Sequence, residues 1–105
     1  MRVADMHNDA GAFTGIEVRN LTLSRYRACR IAATVPGSRL LRAPRLFRAS
    51  PNDFCEFTVD GVPFLIVEPF GDNDHYWVVA KEPSAAAAPL IERVRATFAA
   101  AWAWP

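Results

Sequence analysis

Residues 54–81 place the strongest constraint on the fold, because apolar runs alternate there with turn-forming residues. The dipeptide Asp60-Gly61 separates the first two runs and is typical of a two-residue hairpin, since a type I′ turn requires positive φ at both central positions. A second turn-rich segment, residues 69–74, precedes a third apolar run. We therefore predict three consecutive antiparallel strands, a meander, over residues 54–81.

The hairpin turn also determines which side chains share a face of the sheet, because side chains alternate along a strand. The second face of the hairpin is mixed, includes Phe54, Leu65 and Val67, and is expected to be only partly covered. The first face is wholly apolar and is expected to form the core. Its members are Cys55, Phe57, Val59, Val62, Phe64 and Ile66.

The third strand of the meander follows a longer loop, so its register is less constrained. If Glu68 lies opposite both Asp53 on the first strand and His75 on the third, Tyr76 joins the second face and Trp77 joins the core. A shift of one residue exchanges the two faces of this strand.

The C-terminal segment is the only stretch with the periodicity of a long helix. Pro89 is compatible with a first helical turn, so we predict a helix over about residues 88–102. Its apolar residues recur every three or four positions and form one stripe: Leu90, Ile91, Val94, Phe98, Ala101 and Trp102. The stripe predicts that the helix packs on one face of the sheet.

The remaining segments complete a single α+β domain over residues 1–105, with an antiparallel sheet of four or five strands. Residues 1–13 are polar and are expected to be a flexible N-terminal segment. Residues 16–23 and 25–35 have β-rich compositions, and arginines alternate with apolar residues in the second, so both are predicted as strands. Asn20 or Ser24 could break the run, which leaves a hairpin or one long, bulged strand as alternatives. Residues 39–49 are interrupted by a proline, which favours one helical turn followed by an extended piece.

Composition limits the environment of the protein. No apolar run reaches the roughly 18–20 residues of a membrane-spanning helix, so no membrane partner is expected. The N-terminus has no hydrophobic core typical of a secretion signal. Cys29 and Cys55 are the only cysteines, and both lie in apolar stretches where a free buried thiol is the usual state. We therefore expect a cytoplasmic protein.

The charges are distributed unevenly along the chain. Residues 1–50 carry a net charge of +6 and residues 51–105 carry −5. The basic segment 25–48 contains the best candidates for a nucleic-acid-binding patch, because arginine recognises phosphate through its planar guanidinium. These candidates are Arg39, Arg42, Arg45 and Arg48. The acidic second half of the chain makes pairing with the protein's own carboxylates the favoured alternative.

One end of the predicted meander brings Asp53, Glu68 and His75 into a row. Two carboxylates beside an imidazole could hold a divalent cation or support a hydrolytic reaction. Polar residues are also common at strand ends, and this plainer interpretation is favoured. The chain contains no glycine-rich phosphate loop and no CxxC, HExxH or GxSxG pattern. We expect no cofactor and a protein that is not an enzyme.

Protein–protein contact is the function that these patterns favour. A partly covered apolar face and an unpaired sheet edge are both surfaces at which partners or second copies bind. The expected contact residues are Phe54, Leu65, Val67 and Tyr76 on the second face of the meander, and Trp104 at the C-terminus. The chain is therefore predicted to be a small non-catalytic binding or regulatory protein with a protein partner or a homodimer.

Overall fold

The computed structural model describes residues 1–19, 23–44, 51–69 and 74–101. Six strands form one antiparallel sheet in the order β1-β2-β6-β5-β4-β3, and two helices accompany it. The elements are β1 (Val3–His7), β2 (Phe13–Arg19), α1 (Arg25–Ala33), β3 (Ser38–Arg42), β4 (Asp53–Val59), β5 (Val62–Val67), β6 (His75–Ala80) and α2 (Ala88–Ala100). The α+β class with an antiparallel sheet is confirmed, but the predicted count of four or five strands is one too low.

The Asp60-Gly61 hairpin forms as predicted. Both residues have positive φ, 50° for Asp60 and 82° for Gly61, as a type I′ turn requires. Val59 lies opposite Val62, and the pairing continues in the predicted register as far as Cys55, which lies opposite Ile66. The local turn chemistry therefore determines the register of the β4–β5 hairpin over most of its length.

The hairpin register changes at the start of β4. Asp53 lies opposite Val67 rather than Glu68, because a β-bulge makes Phe54 an extra residue on β4. The bulge turns Phe54 to the same side as Cys55, where its ring packs edge-on against Tyr76 at 5.1 Å between centroids. Phe54 is 1% exposed, so its predicted position on the second face was wrong.

Strand β6 is shifted by one residue from the predicted register. Val67 lies opposite Trp77, and Ile66 lies opposite Val78. Tyr76 therefore faces the core, is 4% exposed and donates a hydrogen bond to the backbone oxygen of Leu23 at 2.9 Å. The shift exchanges the predicted positions of Tyr76 and Trp77. It also lets both polar aromatic groups find an acceptor, one on each side of the sheet.

The segment predicted to be a flexible N-terminus contains a paired strand. β1 pairs with β2 from Val3 opposite Val18 to His7 opposite Phe13. Asp5 of this strand lies 3.7 Å from Arg95 of α2 in an ion pair. Interactions with β2 and α2 therefore stabilise a strand that has no marked pattern of its own.

The strand predicted at residues 25–35 is instead the helix α1. Ser24 caps its N-terminus by accepting a hydrogen bond from the backbone N–H of Arg27 at 3.1 Å. The side chains that α1 buries lie one helical turn apart: Ala28, Cys29, Ile31 and Ala32. Alternation of arginine with apolar residues suggested a strand, but the three- and four-residue spacing of these small side chains explains the helix.

The segment 39–49 was predicted to begin with a helical turn, but its first residues belong to β3. This strand pairs with β4, with Ser38 opposite Val59 and Leu40 opposite Phe57. The tight turn before it uses Gly37, which has a φ of 83°. This positive φ is the reason that glycine is favoured at position 37, and an added Cβ would also force the exposed side chain of Asp60 to move.

Helix α2 confirms the predicted C-terminal helix, although its regular part ends at Ala100. The predicted stripe is buried at Leu90, Ile91, Val94 and Phe98. Pro89 lies in the first turn, where its missing N–H removes no helical hydrogen bond. Neither described helix is long and apolar enough to cross a membrane.

A disulfide between Cys29 and Cys55 joins α1 to β4, with 5.9 Å between the Cα atoms. The prediction that both cysteines are free thiols was therefore wrong, although their burial was predicted correctly. The pairing depends on α1 being a helix above β4, and no local pattern in the sequence indicates that neighbourhood.

Candidate protein interface

The side of the sheet opposite the two helices is the candidate interface, here called the open face. Its apolar centre consists of Leu65 and Val67 on β5 and Trp77 and Val79 on β6, all half-buried. Side chains of the same strands that point the other way, such as Ile66 and Val78, are buried in the core. No helix of the described residues packs on the open face.

The indole of Trp77 is held in place at the centre of the open face. Its Nε1 donates a hydrogen bond to Oε2 of Glu17 at 3.0 Å. The other carboxylate oxygen, Oε1, lies 4.0 Å from Nε2 of His75. A fixed aromatic side chain loses little conformational entropy on binding, and such residues frequently dominate the energetics of an interface.

A polar border, here called the β2 flank, adjoins this apolar centre on one side. It surrounds a shallow cavity of about 160 Å³ and contains Arg2, Glu17, Arg19 and His75. Arg2 and Arg19 are exposed. This flank therefore combines two exposed arginines with a carboxylate that is already engaged by Trp77.

The border on the other side, here called the β4 flank, consists of linked ion pairs. Arg42 lies 3.4 Å from Oδ2 of Asp53 and 3.9 Å from Oε1 of Glu56. Lys81 lies 3.2 Å from the second oxygen of Glu56. The open face thus has an apolar centre and a border with both signs of charge, which is the usual composition of a protein interface.

The predicted contact residues fall into three groups. Leu65 and Val67 lie on the open face, and their role in binding stays a prediction. Phe54 and Tyr76 lie in the core on the helix side and are not available at this surface. Trp104 lies outside the described residues. The residue that sequence reasoning missed is Trp77, and only the alternative register of β6 placed it here.

The structure does not bring the three residues of the predicted metal site together. Asp53 pairs with Arg42 on the open face, and His75 lies beside Glu17. Glu68 instead forms an ion pair with Arg25 of α1, at 3.1 Å. The bulge in β4 and the shift of β6 remove the row that the prediction required. Among the described residues, no group of three histidine, cysteine, aspartate or glutamate side chains could hold a metal ion.

The predicted arginine patch is described only in part. Arg39 is exposed on β3, and Arg42 is engaged by Asp53 and Glu56. Arg45 and Arg48 lie outside the described residues. The engagement of Arg42 agrees with the favoured interpretation that these arginines pair with the protein's own carboxylates, and nucleic-acid binding by residues 25–48 stays a prediction.

Comparisons of this chain with protein-family models, with curated proteins and with solved structures found no match in any of the three.

Proposed function

We propose that the protein is a small binding protein that acts through protein–protein contacts at the open face, and that its partner there is a second copy of the same chain. The observation that carries this proposal is the half-buried apolar centre around Trp77, bordered on both sides by charged residues. Two such faces can pack as stacked sheets about 10 Å apart.

The size of the open face is sufficient for a weak dimer. Six strands about 4.8 Å apart, each about six residues long at about 3.3 Å per residue, cover roughly 550 Å². Two copies would therefore bury about 1,100 Å², just above the roughly 1,000 Å² that a specific interface requires. Interfaces at this low end of the size range are typical of weak, transient complexes, so we expect the dimer to dissociate in the micromolar range.

The charges of the border favour a second copy as the partner. A two-fold axis parallel to the strands would place the β2 flank of one copy over the β4 flank of the other. The exposed Arg2 and Arg19 would then lie near Asp53 and Glu56 of the second copy, and would share these carboxylates with the Arg42 and Lys81 that already pair with them. Because such rim charges contribute little free energy, the affinity would come mainly from the apolar centre, while the rim would select the orientation.

Substitution of Trp77 tests the proposal. Sedimentation velocity over about 1–200 µM should show the wild type passing from monomer to dimer, a range suited to micromolar affinity. Trp77→Arg should stay monomeric throughout, because it removes the aromatic anchor and places a charge against the partner's apolar centre. Circular dichroism and thermal melting establish that the variant is folded.

Tyr26 provides a matched control, because it is an exposed aromatic residue on α1, on the helix side of the sheet. Tyr26→Arg should dimerise like the wild type. A wild type that stays monomeric over the whole concentration range would overturn the proposal, as would a folded Trp77→Arg variant that dimerises with unchanged affinity.

A further inference from the structure

The disulfide between Cys29 and Cys55 is the one covalent link that the structure makes between a helix and the sheet in the described residues. Both cysteines are almost inaccessible, with 2% exposure for Cys29 and none for Cys55. The bond closes a sequence separation of 26 residues. It therefore restrains the position of α1 at a point in the middle of the helix.

Apart from the disulfide, helix α1 is held by a small apolar contact, by the ion pair of Arg25 with Glu68, and by the buried Leu23 and Val35 at its two ends. It has only nine residues, a length at which an isolated helix does not persist in water. Of the four residues that it buries, only Ile31 has a large side chain, since Ala28 and Ala32 bury one methyl group each. Arg25 adds a contact over the ring of Phe54, at 4.9 Å from the ring centroid.

The meander and helix α2 are stabilised by contacts in which α1 takes no part. Strands β4, β5 and β6 are joined by their own antiparallel ladders. Helix α2 packs a stripe of larger side chains on the same side of the sheet and includes the fully buried Phe98. Loss of α1 from the sheet would therefore leave the meander and α2 with most of their contacts.

We propose that the Cys29–Cys55 bond is a redox switch that controls the attachment of α1 to the sheet. In the oxidised protein α1 is held on β4. In the reduced protein α1 detaches from the sheet and returns by local fluctuation, while the meander and α2 stay folded. The reductant that cleaves the bond is a dithiol, either a small molecule or a protein.

The reduction proceeds by thiol–disulfide exchange. A thiolate of the dithiol attacks one cysteine sulfur, forms a mixed disulfide and releases the other cysteine as a thiolate. The second thiol of the reductant then attacks the mixed disulfide and becomes part of a disulfide itself. The dithiol loses two electrons, and Cys29 and Cys55 take up two electrons and two protons. Because both sulfurs are buried, α1 must first open locally, so the reduction is slow in the folded protein.

The consequence of reduction is exposure of apolar surface on the helix side of the sheet. Phe54 and Phe57 lie on β4, the strand to which the bond attaches α1, and both are buried in the oxidised protein. Detachment of α1 would uncover part of this surface without altering the open face, which lies on the other side. The switch is therefore independent of the proposed dimer.

Hydrogen–deuterium exchange of the full-length protein tests this proposal, with and without dithiothreitol as the dithiol. Reduction should raise the exchange rates of the amides of residues 25–33 by about tenfold or more, while those of β5 and β6 change by less than about twofold. The melting temperature should fall by roughly 10 °C. Alkylation before reduction should find no free thiol in the protein as isolated without reductant.

A double variant, Cys29→Ala with Cys55→Ala, is the control for effects of the reductant itself. It should show fast exchange over residues 25–33 whether or not dithiothreitol is present. Three outcomes would overturn the proposal: two alkylated cysteines in the protein as isolated, unchanged exchange of α1 after reduction, or an equal rise over α1, β5 and β6. The last outcome would show that the bond stabilises the whole fold and does not control the attachment of α1 alone.

Discussion

The two helices pack on the same side of one sheet but are held there in different ways. Helix α2 has 13 residues and α1 has nine. Helix α2 buries large side chains, namely Leu90, Ile91, Val94 and Phe98, and full burial of such a side chain stabilises by about 1.5–3 kcal/mol. Helix α1 buries two alanines, a cysteine and one isoleucine, so its burial contributes less.

The disulfide offsets this deficit. Closing a loop with a sequence separation of 26 residues stabilises the folded state by about 3 kcal/mol through the restricted unfolded chain. This amount is comparable to burying one or two large side chains. A disulfide can therefore keep a short helix of small residues on the sheet, where its apolar surface alone would hold it only weakly.

Among substitutions that test the difference between the two helices, removal of the Phe98 side chain should lower the stability of the protein most. Phe98→Ala should lower the free energy of unfolding by about 3–5 kcal/mol, because it leaves a cavity between α2 and the sheet. Urea denaturation followed by circular dichroism measures the loss. The matched change in α1, Ile31→Ala, should cost about 2 kcal/mol, since Ile31 lies nearer the surface of the core. Equal losses would contradict the difference between the helices.

Each helix also carries an arginine that forms an ion pair with a residue of the meander, and removal of either arginine should lower the stability by a smaller amount. Arg25 of α1 pairs with Glu68 in a half-buried setting and lies over Phe54, so Arg25→Ala should cost about 1–2 kcal/mol. Arg93 of α2 contacts the more exposed Asp60 at 3.0 Å, and Arg93→Ala should cost less than about 1 kcal/mol. Thermal melting at low and high salt compares them, and a larger loss for Arg93→Ala would refute this order.

The smallest expected effect concerns the serines that precede the helices. Ser24 accepts a hydrogen bond from the N–H of Arg27 at the first turn of α1, so Ser24→Ala should cost about 1 kcal/mol. Ser84 accepts a hydrogen bond from the N–H of Ala87, in the turn before α2. Ser84→Ala should cost less than about 0.5 kcal/mol, because this bond caps a turn rather than a helix. Denaturation curves that show the reverse order would indicate that α1 does not depend on its cap.

The difference between the helices also explains which parts of the fold the sequence could predict. The stripe on α2 is made of large apolar residues with clear helical spacing, so its period is evident without a structure. In α1 the buried residues are small, and the more prominent alternation of arginines suggested a strand. Ser24, as an N-cap, is the one local signal for this helix, but a serine is equally typical of a break between two strands.

The candidate interface was predicted in outline and not in its central residue. Alternation along β5 correctly placed Leu65 and Val67 on a partly covered face. The position of Trp77 depended on a loop whose length does not determine the register, so the faces of β6 could not be assigned from the sequence. Phe54 moved to the core because a bulge adds one residue to β4, and nothing in the local composition marks that bulge.

Local sequence is sufficient to specify the Asp60-Gly61 hairpin and the C-terminal helix, because positive φ and helical spacing are properties of neighbouring residues. Features that depend on residues distant along the chain arise only when the strands and helices pack together. In the register that β6 adopts, Tyr76 and Trp77 each donate a hydrogen bond to a residue distant along the chain, on opposite sides of the sheet. The disulfide exists because α1 crosses β4 at Cys55, and the open face exists because both helices pack on the other side.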